Sequence, residues 1–376
     1  MKKDKNKYYS LKRILSKNCL YNLIFGERSN GKSYAVLMYI LEDYVNSNFK
    51  NEGAIIRRYD EDIKPKYALE FFKAIVANGE IHKITKGKYN AVTYNARKFY
   101  LKYIDNENPD NNYVDEKPFA TCFALTNEEH YKSNAYPAIK TILFDEFITR
   151  KYYLVNEFIA FQNVLSTIIR DRDDVKIFMC GNTINIINPY FSEMGLDHVR
   201  MMKEGDIDIY DYGENKNVVA VEYTESMTTK NVNKKSNKYF AFNNPRLKMI
   251  TQGKWELDLY PHLPYKYNYP QNVLYQYFIK YDKWILQCEI VKTKDENNKK
   301  VIFTYIHEKT TPIHKDERGM IYQDDSNAHN NYRKYLTKPT NDLERYIVSF
   351  FAKDKIFYST NQVGEIMRNY LQYCNH

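Results

Sequence analysis

Short apolar runs ending in polar or charged residues recur through the first 180 positions. Leu20-Tyr21-Asn22-Leu23-Ile24-Phe25, Gly53-Ala54-Ile55-Ile56, Thr141-Ile142-Leu143-Phe144 and Val175-Lys176-Ile177-Phe178-Met179-Cys180 each have the length and bounds of a buried strand. Residues 34–41, 67–78 and 156–169 read as helices, the last amphipathic. Alternation of strand and helix predicts an α/β fold with a parallel sheet. Residues 81–105 read as strand-rich, with strands at 91–94 and 98–103, and 106–116 as a polar loop. The texture changes after residue 222. Residues 224–244 are polar and basic without a clear period, as in a linker or small adapter. Strands then dominate, at 275–280, 284–291 and 301–306, and helices near 341–351 and 360–373 close the chain. The expected organisation is an α/β domain over 1–222, a basic linker or adapter over 223–257, and an α+β domain over 258–376, without internal repeats.

Composition narrows the classes. The 376 residues suffice for one large or two ordinary domains. The five cysteines (Cys19, Cys122, Cys180, Cys288 and Cys374) form no C-x-x-C, which argues against a zinc site or a disulfide framework and suits a reducing compartment. The basic N-terminus lacks the apolar centre of a signal peptide, and no stretch reaches the length of a membrane span. A soluble intracellular protein with no membrane partner is expected. The net charge of +9 is uneven: residues 1–18 carry +6, 224–256 carry +5, and 19–223 carry −5. A basic arm and a basic connecting segment fit contact with a polyanion, and equally fit solvated tails.

Gly26-Glu27-Arg28-Ser29-Asn30-Gly31-Lys32-Ser33 fits G-x-x-x-x-G-K-[ST] between a strand and a helix, the context this phosphate-binding loop needs. Its glycines let backbone N–H groups face a phosphate. Lys32 would reach the β- and γ-phosphates of ATP, and the Ser33 hydroxyl would hold Mg²⁺. The run 142–144 ends in Asp145-Glu146, the pattern of a strand whose aspartate faces Mg²⁺, in part through water. Glu146 directly after it can serve as base or orienter for an attacking water. Asn182 ends the following strand, where a polar side chain can sense a γ-phosphate or simply close a turn. Arg170 and Arg172 end the preceding helix. Cations there suit the helix dipole, and an arginine at a subunit edge can also enter a neighbour's site.

These residues, with Tyr131-Lys132-Ser133-Asn134-Ala135-Tyr136-Pro137, Phe147-Ile148, Arg57-Arg58-Tyr59 and Asn188-Pro189-Tyr190-Phe191 in the same order and spacing, resemble the genome-packaging ATPases of phi29-like tailed phages over roughly 20–195. The resemblance implies an additional-strand, catalytic-glutamate P-loop fold of terminase type. It implies a ring of identical subunits, a pentamer, that sits on the capsid portal or connector and drives double-stranded DNA inward with ATP, with a structural packaging RNA between motor and shell as in that family. Such a motor works in the host cytoplasm, transiently on the prohead, and is absent from the mature virion. By the same resemblance, residues 26–33 bind nucleotide, Lys32 and Ser33 contact phosphate and Mg²⁺, Asp145 is the metal-facing acid and Glu146 the catalytic glutamate. Arg170 falls at the trans-acting arginine, and Lys132 is a second candidate reaching across the interface. Arg57 matches an arginine with an inter-subunit or nucleotide contact, or is a plain surface charge. Where relatives have a basic residue after the R-R-Y triplet, this chain has Asp60, so a DNA grip would fall to other residues such as Lys64 or Lys66.

The last domain, on that resemblance, is an RNase H-like fold kept from a terminase nuclease. A nuclease of that kind needs several converging carboxylates, usually beginning on its first strand. Residues 275–280 carry none, Asp282 falls in a turn, Glu289 lies on the next strand and Asp324-Asp325 in a polar loop. No nuclease activity is expected, and the aromatics Tyr275, Tyr277, Phe278, Trp284 and Tyr305 read as core. The competing functions are a terminase with a working nuclease, another P-loop DNA translocase or helicase, and a nucleotide-gated scaffold without turnover.

Overall fold

A computed structural model describes residues 9–132, 134–149, 153–183, 187–225, 260–314, 317, 319–323 and 332–374. The chain divides into two compact units, Met1–Glu256 and Leu257–His376. Most of the basic segment 224–256, together with Asp324 and Asp325, lies outside the described residues.

The first unit is built on a nine-stranded sheet. Its strands are β1 (Tyr21–Gly26), β2 (Glu52–Arg57), β3 (Ala91–Asn95), β4 (Lys98–Tyr103), β5 (Tyr113–Ala124), β6 (Ile139–Asp145), β7 (Lys176–Asn182), β8 (Ile207–Tyr212) and β9 (Asn215–Tyr223), in the order β3-β4-β5-β2-β6-β7-β1-β9-β8. The six strands from β5 to β9 pair in parallel. β3–β4, β4–β5 and β8–β9 pair antiparallel, so the sheet is parallel in its centre and mixed at both edges. β7 lies between the phosphate-loop strand β1 and the acid-ending strand β6, which is the additional strand that the fold class requires.

Alternation along each strand feeds two cores. On one face, Leu23, Phe25, Ile142, Phe144, Ile177 and Met179 pack with Phe161, Val164, Leu165 and Ile168 of α6 (Glu157–Ile169). On the other, Ile24, Leu143 and Phe178 pack with Val36, Leu37, Ile40 and Leu41 of α2 (Lys32–Asn46). The fully buried Phe144 stacks on Phe161 at 5.0 Å and meets Tyr190 edge-on at 5.5 Å. Burying a side chain of that kind contributes about 1.5–3 kcal/mol, and here it fixes the strand that carries Asp145.

The smaller helices of this unit are α1 (Lys12–Leu15), α3 (Pro65–Ala68), α4 (Glu70–Ala77), α5 (Glu80–Ile84) and α7 (Pro189–Glu193). The helix expected over 67–78 is thus split into α3 and α4. Ile81, expected in a strand-rich stretch, is helical because Gly79, at φ +67, turns the chain into α5. The expected loop over 106–116 holds only in part: β5 starts at Tyr113, where Tyr103 stacks on the Tyr113 ring at 5.5 Å. Of the hairpin β8–β9, β8 carries no clear periodic signal in the sequence, because it stands at the sheet edge with no fully buried side chain, while β9 holds a buried apolar run over 219–221.

The second unit is α+β. Its sheet has the order β14-β13-β10-β11-β12-β15, from β10 (Val273–Tyr281), β11 (Trp284–Lys294), β12 (Lys300–Glu308), β13 (Ile321–Gln323), β14 (Tyr332–Arg333) and β15 (Ile356–Tyr358). β10–β11–β12 form an antiparallel meander, and β13 and β15 add in parallel on either side. Two helices follow, α8 (Asp342–Ala352) and α9 (Asn361–Tyr373), capped by Asn341 and Thr360, whose side chains accept from Glu344 N–H and Val363 N–H. Tyr277 and Phe278 are core, as expected, while Tyr275, Trp284 and Tyr305 are half-buried.

Candidate nucleotide site

The loop 26–33 connects the end of β1 to the start of α2, so its backbone closes on the positive end of a helix. Gly26 is required sterically: a Cβ there would lie 2.0 Å from Thr224 Oγ1. Gly31, at φ +91, caps α2 in a conformation that a side chain would strain. A cleft of about 240 Å³ opens beside the loop, lined by Ser29, Asn30, Gly31, Lys32, Ser33 and Tyr34 from the loop and helix, Asp145 and Glu146 from the end of β6, and Cys180, Gly181 and Asn182 from β7. Gly26, Glu27 and Arg28 lie on the incoming limb of the loop and are not part of that lining.

Lys32 is 5% exposed. Its Nζ donates to Glu27 O at 2.7 Å, Asn30 Oδ1 at 3.1 Å, Gly26 O at 3.4 Å and Asn182 Oδ1 at 3.4 Å. Four neutral acceptors hold the ammonium where phosphate oxygens would meet it. Burial pushes its pKa down to about 8, against the attraction of Asp145 and Glu27. Asn30 ties the loop to the body of the domain, because its Nδ2 donates to Thr224 Oγ1 at 2.8 Å and its carbonyl accepts from Tyr9 N–H at 2.9 Å.

Ser33 Oγ donates to Asp145 Oδ1 at 2.6 Å. The other carboxylate oxygen, Oδ2, accepts from Arg57 Nη1 at 2.7 Å, and Arg57 Nη2 reaches Glu146 Oε2 at 2.8 Å. Arg57, at the end of β2, therefore bridges both acids within its own chain. Its side chain is 15% exposed. Phe71 covers it at 5.6 Å and Asp62 Oδ2 lies 3.8 Å from its Nε. Glu146 has φ +60, uncommon for a residue with a side chain.

Arg58, the next residue, takes the other direction. It is 5% exposed and forms a two-pronged pair with Glu157, itself 1% exposed, at 2.7 and 2.8 Å. Removing one partner of such a buried pair costs about 3–5 kcal/mol. Sequence reasoning passed over Arg58 and Glu157. The signal available was the arginine dyad at a strand end, where successive side chains leave on opposite sides.

Arg170 and Lys132 do not line this cleft. Arg170 follows α6 at φ +52, is exposed, and donates from Nη2 to Asn134 O at 2.8 Å. Lys132 is exposed two residues before Asn134 and pairs with Glu129 at 2.6 Å. Both are exposed at the surface of the unit. Arg172 has a different task. Its guanidinium donates to the carbonyls of Tyr136, Pro137, Ile139, Ile168 and Ile169, locking the end of α6 to the segment before β6. Asp60 is held by Arg97 at 2.8 Å and by Asn127 at 2.7 Å, and Lys64 pairs with Glu61.

In the second unit Glu289 is buried and accepts from Tyr267 at 2.6 Å and Gln287 at 2.7 Å, with His307 Nε2 at 3.2 Å. Burial would raise its carboxyl, but the bonds from His307, Tyr267 and Gln287 outweigh burial and hold it below its ordinary value. Among the described residues no group of three or more His, Cys, Asp or Glu is placed to hold a metal ion.

A parallel sheet with the extra strand between β1 and β6, and a glycine loop, lysine, serine and paired acids at its edge, define a P-loop domain of the additional-strand, catalytic-glutamate class. The sequence model of the Podovirus DNA encapsidation protein (Gp16) family matches residues 3–237, and the chain belongs to that family. It is 30% identical over 194 residues to the DNA packaging proteins of Bacillus phages phi29 and PZA, a match covering 50% of this chain and 50% of each relative. The chain thus spans about half the length of the curated relatives it matches. In fold it is similar to a subunit of the bacteriophage Phi-29 viral genome packaging motor assembly (TM-score 0.57, 19% identity, 97% of each chain). It is also similar to the Phi-28 gp11 DNA packaging motor (TM-score 0.55, 16% identity, 99% of each chain). No helix among the described residues is long and apolar enough to cross a membrane.

Proposed function

We propose that this chain is an ATP-hydrolysing motor subunit that moves double-stranded viral DNA into a preformed capsid, as one member of a homo-oligomeric ring of five on the portal. The observation that carries the reading is the convergence of Lys32, Ser33, Asp145 and Glu146 on one cleft, in a chain of an encapsidation family. Lys32 and the backbone amides at the start of α2 would bind the phosphates. Ser33 Oγ and the Asp145 carboxylate are hard oxygen donors 2.6 Å apart, a set that suits Mg²⁺, which keeps waters and phosphate oxygens in its remaining positions. Bound there, Mg²⁺ would offset charge on the β- and γ-phosphate oxygens. Glu146 would orient the attacking water and take its proton, and this requires Oε2 to leave Arg57. Asn182, whose Oδ1 accepts from Lys32 Nζ, would contact a γ-phosphate.

Arg170 and Lys132 would act in the site of the neighbouring subunit, a reading that the exposure of Arg170 supports, while the guanidinium of Arg172 is taken up by five carbonyls. DNA contact would be electrostatic and sequence-independent, through the basic arm, the segment 224–256 and Lys66. The second unit would be an RNase H-like domain without nuclease activity that docks nucleic acid or the portal. Among its described residues the buried strand acid is Glu289, which accepts bonds from Tyr267 and Gln287 of the same unit. A structural packaging RNA is a further partner. The protein would act on the prohead in the host cytoplasm and leave before the virion is complete.

The test is ATP turnover with linear duplex DNA and portal-bearing proheads, over a salt series. Stimulation by DNA that fades with salt is expected; no turnover with both partners present would sink the motor reading. A pH signature should accompany it. A phosphate favours the charged form of Lys32, so binding above pH 8 takes up a proton. ATP affinity should fall by up to about tenfold per pH unit above that point, with proton uptake visible by calorimetry in buffers of different ionisation enthalpy. An affinity flat from pH 7 to 9.5 would contradict the placement of Lys32. The stability sign is opposite: between about 8 and the unfolded value of 10.5 the unfolded chain binds more protons, so this lysine makes folding more favourable as pH rises.

A further inference from the structure

The buried pair of Arg58 and Glu157 does not line the nucleotide cleft. Yet Arg58 reaches the main chain of the residue on which hydrolysis depends. Its Nη1 donates to Glu146 O at 3.2 Å and its Nη2 to Phe147 O at 2.9 Å. We propose that Arg58 is a positioning residue for Glu146, holding its backbone in the left-handed conformation, and that Glu157 is the group that fixes Arg58. The inference rests on the reading of Glu146 as the hydrolytic carboxylate.

Three observations support it. Glu146 is at φ +60, a conformation that costs free energy and persists only where surrounding contacts impose it. The Arg58 carbonyl contacts fall on Glu146 itself and on the residue after it, and Phe147 N–H is tied to Cys180 O at 3.3 Å, so the turn is held from both sides. Glu157 is in turn immobilised: besides both prongs of Arg58 it accepts from Tyr190 O–H at 2.7 Å and Leu154 N–H at 2.8 Å, and Tyr153 covers the guanidinium at 5.2 Å. A planar fork can hold a carboxylate with one set of donors and two carbonyls with the others. A lysine ammonium, a single point charge, cannot. Arg57 and Arg58 thus divide the work at the end of β2, one on the acid side chains and one on the backbone beneath them.

The test compares wild type, Arg58→Lys and Glu157→Gln by steady-state ATP turnover, by binding of a non-hydrolysable ATP analogue, and by hydrogen exchange of the amides of residues 145–149. Misplacing a catalytic group by a fraction of an ångström should lower kcat by about tenfold or more. KM and analogue affinity should stay within about twofold, because Lys32 and Ser33 are untouched. Exchange at 145–149 should quicken while that of α2 does not change. A purely structural role would instead shift melting temperature and all exchange together. Unchanged exchange at 145–149 in the folded variant, or kcat within about twofold of wild type, overturns the proposal. If wild type itself hydrolyses no ATP, the motor reading fails, and the exchange measurement still decides whether Arg58 holds this turn. Should Arg58→Lys not fold, the isosteric Glu157→Gln carries the same measurements.

Discussion

Glu146→Gln lowers ATP turnover by about 10²–10⁴-fold, the range for loss of a general base, and leaves nucleotide binding nearly unchanged. The amide oxygen can still accept from Arg57 Nη2, which now meets the carboxylate at 2.8 Å, so the turn and the cleft keep their form. What is lost is the capacity to take a proton from water. Lys32, Ser33 and Asp145, which would hold the nucleotide, are not altered. Single-turnover hydrolysis beside equilibrium binding of ATP separates these effects. Turnover above a tenth of wild type would remove Glu146 from the chemistry. A parallel loss of binding would make it a structural acid.

Arg170→Ala gives a comparable loss by another route. An arginine supplied to a transition state contributes about 10³–10⁵ in rate, and its removal costs that only where subunits meet. The folded subunit itself should tolerate the change, because the guanidinium is exposed and, among the described residues, donates to Asn134 O. Its φ of +52 also favours replacement by glycine, so Arg170→Gly should be no less stable and equally inactive. Mixing Arg170→Ala chains with Glu146→Gln chains should recover part of the turnover, since some interfaces then join an intact Glu146 to an intact Arg170. Both parents are inactive, so any recovery reports assembly across an interface. No recovery in a mixture that forms rings would place Arg170 outside the neighbour's site.

Much of this site is written locally. The loop 26–33 and the pair Asp145-Glu146 are continuous segments whose spacing and flanking strands announce phosphate and metal chemistry before any fold is known. The central strands were equally plain, because strands buried on both faces read as unbroken apolar runs. The edges were not. No residue of β8 is fully buried, and the start of β5 is polar, so neither carries the pattern that buried strands show. The basic segment 224–256 is legible as charge alone, and most of it lies outside the described residues.

The sequence by itself supplied the candidates: Lys32 and Ser33 for phosphate and metal, Asp145 and Glu146 for metal and water, and arginines without settled partners. Only the tertiary structure showed which groups the arginines meet, because those partners are distant in the chain. Arg57 meets acids 88 and 89 residues away, Arg58 pairs with Glu157 99 residues away, and Arg172 is consumed by carbonyls while Arg170 remains exposed. Local spacing encodes what a backbone turn can present to a ligand. Which long, flexible cation reaches which acid is decided by packing between elements, and no spacing rule contains it.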